Sequence, residues 1–169
     1  MGAFRGIANR FLQMVVRFIP GAKSSRVWIH RLRGVHVGAG TFIGTDALIE
    51  TSKPHLVYIG SGVAIGIRST IIAHFRGMER SALREGRPHT VIIEDEVFIG
   101  PGVTILPNTT IGHGAVVTAG SVVTRSIPPM TMVQGNPASE VAKCGIPLGM
   151  NTPLKEFYRQ LKPIRGVNR

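Results

Sequence analysis

The chain has one cysteine, Cys144, among 169 residues. A single thiol excludes an internal disulfide framework and a CxxC metal site, and it fits a reducing, cytoplasmic setting. Aromatic residues make up only 6%, too few for a core built on Phe and Trp. No apolar run approaches the roughly 20 residues that cross a bilayer as a helix. Arg10 and Arg17 interrupt the first apolar stretch, so no secretory signal core is expected there. Acidic residues are missing from positions 1–36, which carry Arg5, Arg10, Arg17, Lys23, Arg26, Arg31 and Arg33.

What remains is aliphatic and turn-rich. Hydrophobic residues reach 43%, with 21 Gly and 11 Pro. Val, Ile and Ala dominate, which suits short strands between frequent turns. The net charge of +11 sits at the two ends, because residues 37–152 carry eight groups of each sign. Basic ends point to an anionic membrane surface or another polyanion. No nucleic-acid recognition motif accompanies them, so nucleic acid is not an expected partner.

The main signal is a period of six. Aliphatic residues recur at Val37, Ile43, Ile49; at Ile59, Ile65, Ile71; and at Ile93, Ile99, Ile105, Ile111, Val117, Val123. Four positions after many of them stands a small or β-branched residue, such as Ala47, Ser69, Val103, Ala115 or Ser121. Gly often follows the aliphatic residue directly, as at Gly38, Gly60 and Gly100, which suits a tight corner. Six is neither the helical period nor strand alternation. It describes a short strand and a turn, repeated so that stacked coils share one apolar column. Two insertions break the register, one around Pro54 and a longer polar one over residues 77–90. A loop carried on a rigid coil is a natural place for function.

This pattern resembles the hexapeptide-repeat acyltransferases, closest to the sugar and polysaccharide O-acetyltransferases. The resemblance implies an all-β fold, a left-handed parallel β-helix with a projecting loop and short N- and C-terminal helices. It also implies a homotrimer with each active site between subunits. The expected organisation is a basic amphipathic helix and entry segment over 1–34, the β-helix over 35–143, and a tail with a short helix over 144–169. Phe4, Ile7, Phe11, Met14, Val15 and Phe18 fall at helical spacing before Pro20-Gly21. Two roles fit that helix: a cap over the open end of the coil, or a membrane-surface element.

The same resemblance supplies the candidate site. Ile71-Ile72-Ala73-His74 precedes the long loop as the catalytic histidine does in these enzymes, and it makes His74 the general base. Where relatives often have Asp next, Phe75 and then Arg76 stand here. Val117-Thr118-Ala119-Gly120-Ser121 and Gln134-Gly135-Asn136-Pro137-Ala138 resemble the terminal coil and exit turn beside acetyl-coenzyme A. The implied donor-binding residues are Phe98, Gly100, Pro101, Ala119, Gly120, Thr124, Arg125 and Lys143. Small residues let the pantetheine arm lie on backbone, and the cations face phosphate. Glu50, Arg76 and His89 are candidates for the acceptor, and Glu50 also for orienting His74. His113 is expected to face solvent, His55 to be structural, and His30 and His36 to be solvated.

The implied reaction is acetyl transfer from acetyl-coenzyme A to a hydroxyl of a polysaccharide or lipid-linked glycan, without metal. The histidine spacing does not fit the zinc site of a γ-class carbonic anhydrase on a similar coil. A non-catalytic trimeric scaffold for anionic membranes or polyanions is the competing reading.

Overall fold

The computed structural model describes residues 3–75 and 90–164. Arg76, His89 and nearly all of the 77–90 loop lie outside the described residues. Short parallel strands stack into three sheets, the faces of a triangular prism. The first face orders β1 (His36–Val37), β4 (Val57–Ile59), β7 (Val91–Ile93) and β10 (Thr109–Ile111). The second stacks β2 (Phe42–Ile43), β5 (Ala64–Ile65), β8 (Phe98–Ile99), β11 (Val116–Val117) and β13 (Thr131–Gly135). The third stacks β3 (Leu48–Ile49), β6 (Thr70–Ile71), β9 (Thr104–Ile105) and β12 (Val122–Val123).

The period of six puts one aliphatic residue inward on every face of every turn. Ile43, Ile65, Ile99 and Val117 form such a column, each with no solvent exposure. The small residues four positions on are buried as well, including Thr41, Ala47, Ser69, Ala115 and Ser121. A full coil takes 18 residues where nothing is inserted, as Phe98 beside Val116 shows. The first insertion lengthens the step to 22, from His36 to Tyr58. The second lengthens it to 34, from Tyr58 to Ile92. Both open at the corner between the third and first faces, so the coil keeps its register while that corner gains chain.

The glycine after the inward residue has a different cause from the corner geometry expected of it. These glycines do not take a left-handed φ. A Cβ on Gly66 would lie 2.5 Å from Pro101 N in the next coil, so Gly is required by close approach of backbones. The left-handed residue comes two positions later, filled by Gly62, Gly102 and Gly120 but also by Asp46, Arg68, Glu96 and Asn108.

The chain leaves the coil through a hairpin. β13 pairs antiparallel with β14 (Ala138–Lys143) around the cis Asn136-Pro137 bond, and β15 (Lys162–Pro163) adds to the edge. α3 (Leu154–Gln160) sends Phe157 into a second apolar cluster with Val116 and Cys144.

The other end is closed by two helices, α1 (Ala3–Val16) and α2 (Ser25–Arg33). The second was not expected from sequence. The first coil has no coil beneath it, so its downward carbonyls need other donors. Gln13 Nε2 donates to Ala47 O at 3.2 Å and Asn9 Nδ2 to Thr51 O at 2.6 Å. Arg26 Nη1 donates to Ile43 O, Arg31 to Val37 O and Gly38 O, and Arg33 Nη2 to Ile49 O and Glu50 O. Arg17 pairs with Asp46. Four of the seven N-terminal cations are therefore taken up in holding the cap. His30, expected to be solvated, is buried among them at 1% exposure.

Candidate active site

His74 follows β6 by three residues, at the corner the insertions widen. Glu50 follows β3 directly on the coil below, and its side chain turns inward with 3% of its surface exposed. Glu50 Oε2 accepts from Ala73 N and lies 3.0 Å from His74 Nδ1. Glu50 Oε1 accepts from Ser52 N at 2.8 Å and Lys53 N at 3.1 Å. Burial alone would raise the Glu50 carboxyl. The Ser52 amide, His74 and the Lys53 and Ala73 amides outweigh it and hold the pKa below the ordinary carboxylate value. An ionised carboxylate only accepts, so the Nδ1 facing it carries the hydrogen. In the neutral ring the other nitrogen, Nε2, then keeps its lone pair. A pocket of about 110 Å³ opens here, lined by Leu48, Glu50, Thr51, Ile71, Ile72 and His74.

The cap supports this corner from below. Arg33 donates through Nη2 to the backbone of Glu50 at 2.6 Å, through Nε to Asn9 Oδ1 at 2.7 Å, and through Nη1 to His30 Nδ1 at 2.9 Å. Because arginine can only donate, His30 Nδ1 is the acceptor and the ring is neutral. Burial, and then the Arg33 charge, push the His30 pKa down to about 3. Burial pushes Arg33 down to about 10, opposed by the Glu50 charge. Sequence reasoning missed this layer. Its residues have no motif, and only the tertiary placement of unpaired carbonyls selects them.

The donor candidates divide. Thr124 stands on the same column as Glu50, since Ile49, Ile71, Ile105 and Val123 pair in register. Thr124 and the adjacent Arg125 are exposed at the His74 corner. Gly100, Pro101, Ala119 and Gly120 gather at the opposite corner, between the second and third faces. There a Cβ on Gly100 would lie 2.6 Å from Ala119 N, while Gly120 has open space and φ +70. The width of the third face, about 15 Å at ~3.3 Å per residue, separates the two corners. One chain therefore does not bring His74 to Gly120. Phe98 packs on the cluster of Val116, Cys144 and Phe157. Lys143 Nζ is engaged at 2.8 Å with both Thr131 Oγ1 and Glu140 Oε2. His113 is exposed as expected, 3.6 Å from Glu96. His55 is exposed too, on the turn before β4.

Comparison with known proteins agrees with this architecture. Residues 90–125 match the bacterial transferase hexapeptide family of six repeats. The protein named "Putative acetyltransferase YvoF" of Bacillus subtilis (strain 168) is 35% identical over 135 residues, covering 78% of this chain and 73% of that protein. A galactoside O-acetyltransferase of Lactococcus lactis subsp. lactis (strain IL1403) is 29% identical over 107 residues, covering 62% of this chain and 51% of that protein. The crystal structure of a hexapeptide-repeat acetyltransferase of Vibrio cholerae complexed with acetyl-coenzyme A superposes with a TM-score of 0.64. It covers 83% of this chain and 87% of that one at 24% identity, a likeness of fold. Repeat, three-faced coil and sequence relatives agree: this chain is a left-handed β-helix and belongs to the hexapeptide-repeat acyltransferase family.

Proposed function

We propose that the chain transfers an acetyl group from acetyl-coenzyme A to a sugar hydroxyl, with His74 as general base. The observation that carries this reading is the Glu50–His74 pair, 3.0 Å apart at the mouth of a pocket. The carboxylate fixes the tautomer, and Nε2 takes the acceptor's proton as its oxygen attacks the thioester carbonyl. The tetrahedral adduct collapses with loss of the C–S bond. The imidazolium returns the proton to the leaving sulfur, giving an acetyl ester and coenzyme A thiol. The thioester is already activated, so no covalent acyl-enzyme is required.

The donor arm is proposed to lie on the Gly100–Pro101 and Ala119–Gly120 corner, where small side chains leave backbone amides accessible. That corner and His74 meet only if a second copy of the chain supplies one of them. We therefore read the working form as a homotrimer with composite sites between copies. Arg125 is the candidate partner for the donor's phosphates. The engagement of Lys143 with Glu140 makes it the weaker candidate. Glu50 is assigned to His74 and not to the acceptor. The galactoside relative favours a carbohydrate acceptor, and we favour a polysaccharide or lipid-linked glycan.

A panel of sugars and glycans, assayed for acetyl-coenzyme A-dependent thiol release, tests the proposal. The reading expects one acceptor class to accelerate release over water. It expects His74→Ala to lose that acceleration by about 10²–10⁴-fold while still being stabilised thermally by acetyl-coenzyme A. No stabilisation at saturating donor would favour the scaffold reading.

A further inference from the structure

α1 is amphipathic in the reverse of the usual sense. The side that meets the coil is Asn9, Gln13 and Val16, and Asn9 is 7% exposed. Two residues away, 200° round at 3.6 residues per turn, lie Ile7, Phe11 and Met14, and Phe18 follows in the turn after the helix, each more than 60% exposed. α2 shares part of the arrangement: Arg26, His30 and Arg33 are buried together with Val27 and Ile29, and Trp28 and Leu32 point away at 63% and 58% exposure. Both helices take carbonyls directed out of the bottom of the prism, so both apolar faces look the same way along its axis. A helix normally buries its apolar face. Here two adjacent helices bury polar groups beside Val16, Val27 and Ile29 and still offer a joint apolar platform to the surroundings, which marks an interaction surface.

The charge around the platform selects the partner. No acidic residue precedes Asp46, which is paired with Arg17, and the next, Glu50, is buried. Arg10 and Lys23 are exposed on this end. A second copy would set these cations against themselves. Anionic headgroups over an acyl layer match both features. Among the described residues no helix is long and apolar enough to cross a membrane, so the mode is contact with the surface.

We propose that the two-helix cap is an interfacial anchor for an anionic lipid bilayer. It seats the Ile7, Phe11, Met14, Phe18, Trp28 and Leu32 side chains at the headgroup boundary, with Arg10 and Lys23 on lipid phosphates. In a cyclic assembly whose axis runs along the prisms, every copy would present its platform to the same plane and the contacts would reinforce one another. The anchor goes beyond acetyl transfer and does not depend on it.

Trp28 is the only tryptophan, which gives the test an internal probe. The full chain is mixed with vesicles of phosphatidylcholine alone or of equimolar phosphatidylcholine and phosphatidylglycerol, and Trp28 emission and co-sedimentation are followed. The expected result is a blue shift and pelleting with the anionic vesicles, weakening as salt rises. Phe11→Ser with Phe18→Ser, and separately Arg10→Glu with Lys23→Glu, should each lower partitioning by about tenfold. The Phe18 ring lies under the Arg17 guanidinium that pairs with Asp46, so the melting temperature of each variant is measured alongside, and partitioning is compared well below it. Unshifted Trp28 emission and no pelleting would overturn the proposal. So would variants that pellet as wild type does. A wild-type mass by light scattering that falls by half in the Phe11/Phe18 variant would show a second copy on the platform and overturn it equally.

Discussion

Glu50 and His74 stand 24 positions apart in sequence and 3.0 Å apart in space: the first insertion lengthens a coil of 18 to 22, which brings Glu50 level with Ile72, and His74 follows two residues on. Glu50 occupies the position where half of the repeats place Gly, and its carboxylate accepts from the Ser52, Lys53 and Ala73 amides of the widened corner. The pair predicts a specific failure in Glu50→Gln. The amide keeps the shape but can donate to Nδ1, which puts the hydrogen on Nε2 and removes the base. Turnover should fall by about 10²–10⁴-fold with the donor's KM little changed. Glu50→Asp should recover part of the loss. Steady-state kinetics on the three proteins measure this, and an equal rise in KM for Glu50→Gln would argue for a binding role.

Acid should destabilise the protein in two stages. His30 has its pKa lowered from 6.5 to about 3. The unfolded chain therefore takes up a proton first, and stability falls as pH drops below 6.5 by up to about 1.4 kcal/mol per unit. Glu50, also lowered, adds its own loss as pH falls below its ordinary value of 4.5 and through its folded one. Above 6.5 neither group contributes a slope. Denaturant midpoints at pH 7.5, 6 and 5 would show the first stage. His30→Gln, which keeps an acceptor for Arg33 without a titrating ring, should flatten it.

The two kinds of glycine should respond differently to alanine. Gly66→Ala places a Cβ 2.5 Å from Pro101 N, which is backbone and cannot move aside. A loss of about 2–4 kcal/mol is expected. Gly120 has φ +70 and nothing within 4 Å of the added carbon, so Gly120→Ala should lose only about 1 kcal/mol. Chemical denaturation of the two variants compares them directly, and equal losses would contradict the close-approach account.

The coil was legible in sequence because each of its positions obeys one local rule. An inward aliphatic residue every sixth position fixes the face of each strand, and Ile43, Ile65 and Ile99 fall where that rule puts them. Glu50 was legible because it breaks the glycine position of its repeat, and His74 through the family resemblance of its stretch and the long loop that follows. The end cap was not. Asn9, Gln13, Arg26 and Arg33 are selected by carbonyls some 16 to 42 positions away, and no short-range pattern records that. The N-terminal charge therefore read as a surface property, when four of its cations serve the coil. The division of the donor candidates was also hidden, since periodicity gives a residue's column but not the distance between corners.

A site made by two copies of the chain is tested most directly with mixed trimers. His74→Ala disables one corner and Gly120→Trp fills the other, so each should be inactive alone. Co-expressed with separate tags and purified through both, they should recover about a third of wild-type activity, because each mixed trimer, of either composition, joins an intact His74 corner to an intact Gly120 corner at one of its three sites. Mixed trimers no more active than the two parents would contradict the composite site and the assignment of the two corners to one reaction.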